Sequence, residues 1–336
     1  MRPNWRAIGP AAVASCGLAL VFILPMFVET FVLVDLTAYV VMSILALSLA
    51  LVWGYGGMLC FGQSAFFGIG GYAYVIGLTN LGDSTIPLLL SIVLPMIVAA
   101  LLGYFLFFGR VGDIYLGVIT LCVSLILFNV INSTGAEFKI GSAAIGGNNG
   151  IPGIPPINFP GQPSVQLTYE GSYQLSLIVL VLVYVGLHLL LASSFGRLVV
   201  AIRSNELRVE LLGYDARLYK LVTFVIGAGI AGLAGSLFAN WGSFIGPTVF
   251  SIFFSAQIII WLMVGGLGTL LGAVGGAFVV QWLTTWLGGS KIADPNVVLG
   301  VIFIVFVLLV PRGIQPKLVD WIRSLAAWRG VNREYG

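Results

Sequence analysis

Apolar runs of about 20 residues follow one another along almost the whole chain, each long enough to cross a hydrocarbon core of about 30 Å as a helix. Residues 249–288 pass without one charged side chain. Of the 336 residues 59% are hydrophobic and only 8% charged, where a soluble domain carries about 25% charged residues. The expected fold is therefore an all-α, polytopic integral membrane helix bundle. No segment outside the apolar runs is long enough to bury a core of its own, so residues 1–336 read as a single transmembrane domain.

Reading spans from apolar length and breaks from Gly, Pro and charge gives ten of them, near 8–28, 36–54, 57–79, 86–108, 114–133, 173–192, 219–240, 250–270, 272–288 and 297–311. The first follows Arg2 and Arg6 but is longer than a signal-peptide core and leads straight into more membrane. With ten spans, Arg2 and Arg6, Arg110, the group Arg197 to Lys220 and the group Arg312 to Arg333 all fall on one face, as the positive-inside rule requires. Both termini are then cytoplasmic. The 134–172 connection is extracytoplasmic, and its Pro152, Pro155, Pro156, Pro160 and Pro163 forbid a regular helix. It reads as a docking or gating surface or as a stiff connection. The 193–220 connection is cytoplasmic; Ser204 or Asn205 can cap a helix that runs to Leu212 and stops at Gly213. That helix has Glu206 and Glu210 on one side and Leu207 and Leu211 on the other, which suits contact with another protein or with lipid headgroups.

The missing chemistry narrows the function. No GxxxxGK[ST] phosphate loop occurs, so ATP binding by that device is not expected. Ion coupling calls for ionisable groups inside the membrane, and here they sit at span ends or in loops; the single His188 falls near the cytoplasmic end of its span. Cys16, Cys60 and Cys122 lie in apolar segments with no metal-ligand spacing, and nothing supports catalysis, a metal site or nucleic-acid binding. Passage of a molecule, driven from outside the chain, is what remains.

The stretch "GGMLCFGQSAFFGIGGYAYVIG", residues 56–77, gives up side chains to glycine yet keeps an amide and a hydroxyl. Gly62, Gln63, Ser64 and Phe67 are candidate pathway residues there, in a segment whose helix can be bent or broken only where freed backbone groups face protein or a water-filled cavity. Thr120 and Ser124 share one face of the fifth span with Gly117, and Gln281 and Thr284 share a face of the ninth with Ala277, Thr285 and Gly288. Such faces either bond to neighbouring helices or line a route. Gly268, Gly272 and Gly276 offer a small face for close helix approach, and 53–79 and 262–288 pair as a possible repeat of a glycine-rich turn followed by a span.

Six stretches in this order resemble the permease subunits of branched-chain amino-acid ABC importers, the LivM type: "GYGGMLCFGQSAFFGIGGYAY" (54–74), "YLGVITL" (115–121), "GGNNGIPGIP" (146–155), the cytoplasmic run 193–239, "MVGGLGTLLGAVGGAF" (263–278) and "VPRGI" (310–314). The resemblance implies a multi-pass protein of a bacterial-type plasma (inner) membrane that moves a branched-chain or related amino acid. It also implies a second homologous permease, two ATP-binding subunits that hold ATP and Mg, and a periplasmic or surface solute-binding protein. Gly196, Arg197, Arg203, Asn205, Glu206 and Gly213 match the family pattern in the cytoplasmic loop and are the expected coupling residues. Leu125 stands where family members often carry a glutamate, and urea and short-chain amide permeases share much of the pattern, so the solute class stays open between them. A facilitator or channel that needs no partner is the rival reading of another class.

Overall fold

A computed structural model describes residues 10–135, 138–159, 162–289 and Gly300. The predicted tenth span, the 310–314 match and the basic groups at both termini otherwise lie outside the described residues. Eleven α-helices follow in chain order among those described: α1 (Pro10–Phe27), α2 (Thr30–Leu49), α3 (Gln63–Leu81), α4 (Thr85–Phe108), α5 (Asp113–Ser133), α6 (Tyr169–Ala192), α7 (Ser194–Ser204), α8 (Glu206–Leu211), α9 (Ala216–Gly242), α10 (Ile252–Gly265) and α11 (Leu270–Gly289). Among the described residues six helical stretches are long and apolar enough to cross a membrane: Thr30–Tyr55, Thr85–Phe108, Ile114–Ser133, Tyr169–Ala192, Ala216–Gly242 and Leu270–Gly288. The protein is thus an all-α polytopic membrane protein.

The central post is α2, which is buried from Thr37 onward and packs against α6, α9 and α11. Beside it α3 is held between α4 and α9, α1 lies on α6, and α10 pairs with α11. The bundle turns its large apolar side chains outward as well as inward: Leu89, Leu101 and Phe105 of α4, Ile126 of α5, and Leu182 and Leu189 of α6 are all exposed, as a lipid solvent allows.

Two expected spans take another form. The helix placed at 57–79 begins only at Gln63, after a π-helical turn from Ala50 to Tyr55 and an irregular stretch through Gly62. The helix placed at 250–270 is the 14-residue α10, about 21 Å long at 1.5 Å per residue and short of a hydrocarbon core of about 30 Å. Neither is among those six: α10 is too short, and α3 is long enough but less apolar. Nearly every α3 side chain is covered by other helices, so lipid does not select for apolar residues there and glycine, tyrosine and glutamine are tolerated.

Glycine sets the spacing of the inner helices. A Cβ on Gly70 of α3 would stand 2.3 Å from the Cα of Gly232 on α9, and one on Gly235 would stand 1.9 Å from the carbonyl oxygen of Phe67. In the α10–α11 pair, Gly265 faces Gly272, and Gly276 faces the Trp261 carbonyl. Gly268 does not share that helix face; it sits in the turn at φ +84°, so the expected run of three continues only as Gly272 and Gly276.

At the end where α3 finishes, residues 138–167 form short antiparallel ribbons: β1 (Lys139–Ile140) with β2 (Ala143–Ala144), β3 (Ile151–Pro152) with β6 (Phe244–Ile245), and β4 (Asn158–Phe159) with β5 (Gln162–Gln166). The absence of α-helix over the described part of this segment agrees with its prolines. It is tied to the bundle by Asn158, whose Oδ1 accepts from the Ser84 N–H at 2.8 Å, and by Asn80, whose Oδ1 accepts from the Ser142 N–H at 2.7 Å.

Candidate translocation and coupling site

The start of α3 has no side-chain cap; its environment is built instead from hydroxyls on other helices. Thr120 Oγ1 of α5 accepts from the Phe61 N–H at 3.2 Å, and Cys60 Sγ accepts from the Gly62 N–H at 3.3 Å. Ser64 lies 3.1 Å from Ser124 of α5 and 2.6 Å from Ser255 of α10, oxygen to oxygen. These four hydroxyl side chains, on three helices, are no more than 1% exposed. The site thus brings together Gly62, Ser64, Thr120 and Ser124, and adds Ser255. A lone serine in an apolar run gave no signal of its own for Ser255; only its neighbours in space reveal it. Gly62 has no room for a side chain because a Cβ would stand 2.9 Å from that of Thr120.

Gln63 points to the other flank of α3. Its Oε1 accepts from Ser48 Oγ of α2 at 3.4 Å, and its amide nitrogen, next to Gly227 of α9, has no hydrogen-bond partner among the described residues. Phe67 is fully buried against Phe238 and Phe254. Gln281 and Thr284 are not part of this cluster: Thr284 donates to the Val280 carbonyl of its own helix at 2.8 Å, and both side chains are half-buried on α11. The face expected from their spacing therefore does not converge with the α3 junction in this structure.

The 193–220 connection is a helical hairpin, with α7 an element the sequence reading did not anticipate. Its corner depends on Gly196, where a Cβ would meet the Leu191 Cα at 2.3 Å, and on Arg197, which donates to the Ala192 carbonyl and to Ser194 Oγ, both at 3.0 Å. The second helix, α8, is the expected one: Asn205 Oδ1 accepts from the Arg208 N–H at 3.0 Å, and Gly213 ends it at φ +89°. Glu206 pairs with Lys220 of α9 at 2.5 Å, while Ile202, Val209 and Ala216 pack α7, α8 and α9 together. Arg203 Nη1 donates to the carbonyl of Gly54 in the π-turn below α3. Each predicted coupling residue thus shapes or anchors the hairpin. The large apolar side chains it leaves open include Leu207, Leu211, Leu212 and Tyr214, beside the exposed Arg203, Asn205 and Arg208.

A cavity of about 350 Å³ next to the hairpin is lined by Arg110, Glu206, Glu210, Arg217 and Lys220. It brings the basic α4–α5 turn and the 193–220 connection to one face, as the charge distribution requires. His188 borders a second cavity, of about 520 Å³, with Tyr55 and Arg197.

A lipid-facing bundle with a neutral, hydroxyl-lined break at its centre and a rigid hairpin on its basic face defines a multi-pass membrane permease. Residues 32–310 match the family described as branched-chain amino acid transport system, permease component, and the chain belongs to that family. It is 27% identical to the high-affinity branched-chain amino acid permease protein LivM of Escherichia coli K12, over 83% of this chain and 69% of that protein. The LivM protein of Salmonella typhimurium is 28% identical over the same shares. A probable LivH permease of Methanocaldococcus jannaschii is 26% identical over 83% of this chain and 89% of its own length. No solved structure matches the chain.

Proposed function

We propose that this chain is the membrane-spanning permease subunit of an ATP-binding cassette importer that carries a branched-chain or related amino acid into the cytoplasm. The observation that carries the reading is the family match over residues 32–310, and the neutral centre with a hairpin on the basic face agrees with it. ATP and Mg belong to two partner subunits beneath the hairpin; a second permease completes the membrane unit, and an extracytoplasmic binding protein delivers the solute. The broken α3 and the short α10 count as spans because each is continued by irregular backbone buried in protein, the one setting in which such backbone is tolerated at membrane depth. With α1, whose apolar part is Gly17–Phe27, and the segment at 297–311 the count is ten, and both termini are cytoplasmic.

The test is reconstitution. The chain assembled with its partners in proteoliposomes should accumulate labelled leucine, isoleucine or valine only with ATP and binding protein present. Accumulation of urea or acetamide in place of these would move the solute to the amide relatives, and flux through the chain alone without ATP would overturn the importer reading.

Within this reading Gln63 offers its unused amide to the solute when the helices part. Gln63→Leu keeps the volume, removes the unpaired donor and so should leave assembly and melting unchanged or slightly improved. Uptake should fall about tenfold, the worth of one hydrogen bond of about 1.4 kcal/mol. Uptake and melting that fall together would make Gln63 a packing residue.

A further inference from the structure

One side chain of the hairpin lies against the glycine turn before α3 and reaches toward the one before α11. The stem of Arg203 lies against Gly57, whose φ is +76° and where a Cβ would stand 2.8 Å from the arginine Cγ. Its Nη1 donates to the Gly54 carbonyl and stands 3.5 Å from the position a Cβ on Gly268 would take. The two turns also meet each other: a Cβ on Gly54 would stand 3.2 Å from the Gly268 backbone nitrogen. One turn leads into α3 and the other into α11, the two segments that the sequence pairs as a repeat.

We propose that Arg203 is the positioning residue through which movement of the α7–α8 hairpin reaches both turns at once, and so moves α3 and α11 together. The inference rests on the importer reading above and names the connection that reading needs. Three features support it. The hairpin is fastened as a unit by Ile202, Val209 and Ala216 and by the Glu206–Lys220 pair, so displacing α8 carries α7 with it. The π-turn that ends α2 has the Leu51, Val52 and Trp53 carbonyls accept from Gly56, Met58 and Gly57, and its Gly54 carbonyl accepts from Arg203; the partial negative charge of a carbonyl at a helix end suits a permanently charged guanidinium. Finally, the positive φ of Gly57 and Gly268 lets the turns pass close around one side chain, where any Cβ would be strained.

The experiment measures ATP hydrolysis and amino-acid uptake together in the reconstituted complex. Arg203→Ala should leave assembly and hydrolysis intact while uptake per ATP falls about tenfold, the loss of one charge-assisted hydrogen bond. Arg203→Lys, which keeps a donor without the planar fork, should fall between. An unchanged ratio in Arg203→Ala overturns the proposal. Should that variant fail to assemble, Gly268→Ala decides: it strains the second turn without altering the hairpin, and a normal ratio there overturns the proposal equally. If the unsubstituted complex shows no ATP-driven uptake, it is the importer reading that fails, and the strut with it.

Discussion

Gly70→Ala and Gly235→Ala should each destabilise the folded bundle, by about 1–3 kcal/mol for one inserted methyl group. The added carbon would lie 2.3 Å from the Gly232 Cα in the first case and 1.9 Å from the Phe67 carbonyl oxygen in the second. Both obstacles are backbone, so no rotamer change relieves them, and α3 and α9 must separate. Separation loosens the dispersion contacts that hold helices together where lipid is as apolar as leucine, including the edge-on Phe66–Phe224 pair at 5.3 Å. The measurement is the thermal midpoint of the purified protein in detergent, with a drop of several degrees expected. Gly186→Ala and Gly275→Ala serve as controls, because a Cβ at either meets nothing within 4 Å and alanine is the better helix former by about 1 kcal/mol. Equal midpoints across all four variants would mean that glycine does not set the α3–α9 distance.

How far the molecule could be read from its residues follows from how local each signal is. The α8 boundaries were legible because capping is local chemistry: Asn205 accepts a bond three residues on, and Gly213 takes the left-handed φ that ends a helix. The start of α7 was missed although its chemistry is equally local, with Ser193 Oγ accepting from the Gly196 N–H and Gly196 lying on the Leu190 and Leu191 backbone: hydropathy does not register a corner between two helices that follow each other directly. The late start of α3 escaped for a related reason. Residues 57–62 are as apolar as a helix needs, but N–H groups among them find other partners, in the Trp53 and Val52 carbonyls, the thiol of Cys60 and the hydroxyl of Thr120. At the junction, the pairing of Thr120 with Ser124 followed from helical spacing, but which faces meet is a matter of packing. Thus Ser255 joined them, while Gln281 and Thr284, equally regular in sequence, did not.

Leu207→Glu combined with Leu211→Glu should abolish ATP-driven uptake while leaving the isolated chain folded. Both leucines are exposed on the hairpin, at 68% and 80%, so substitution removes little packing from the folded chain and its stability should stay within about 0.5 kcal/mol of the parent. The same exposure makes them available to a partner. Burying one leucine contributes about 1.5–3 kcal/mol, so losing two would weaken docking by about 3–6 kcal/mol, more than a hundredfold in affinity. Desolvating the new carboxylates adds to that loss. Glu206, by contrast, is paired with Lys220 and Arg203 with Gly54, so the double substitution probes the apolar edge of α8 without touching the charges that shape the hairpin. Co-purification of the ATP-binding subunits with the variant reads docking directly, and uptake in proteoliposomes reads its consequence. Normal co-purification and normal uptake would place that edge in the lipid headgroup layer and remove it from the coupling interface.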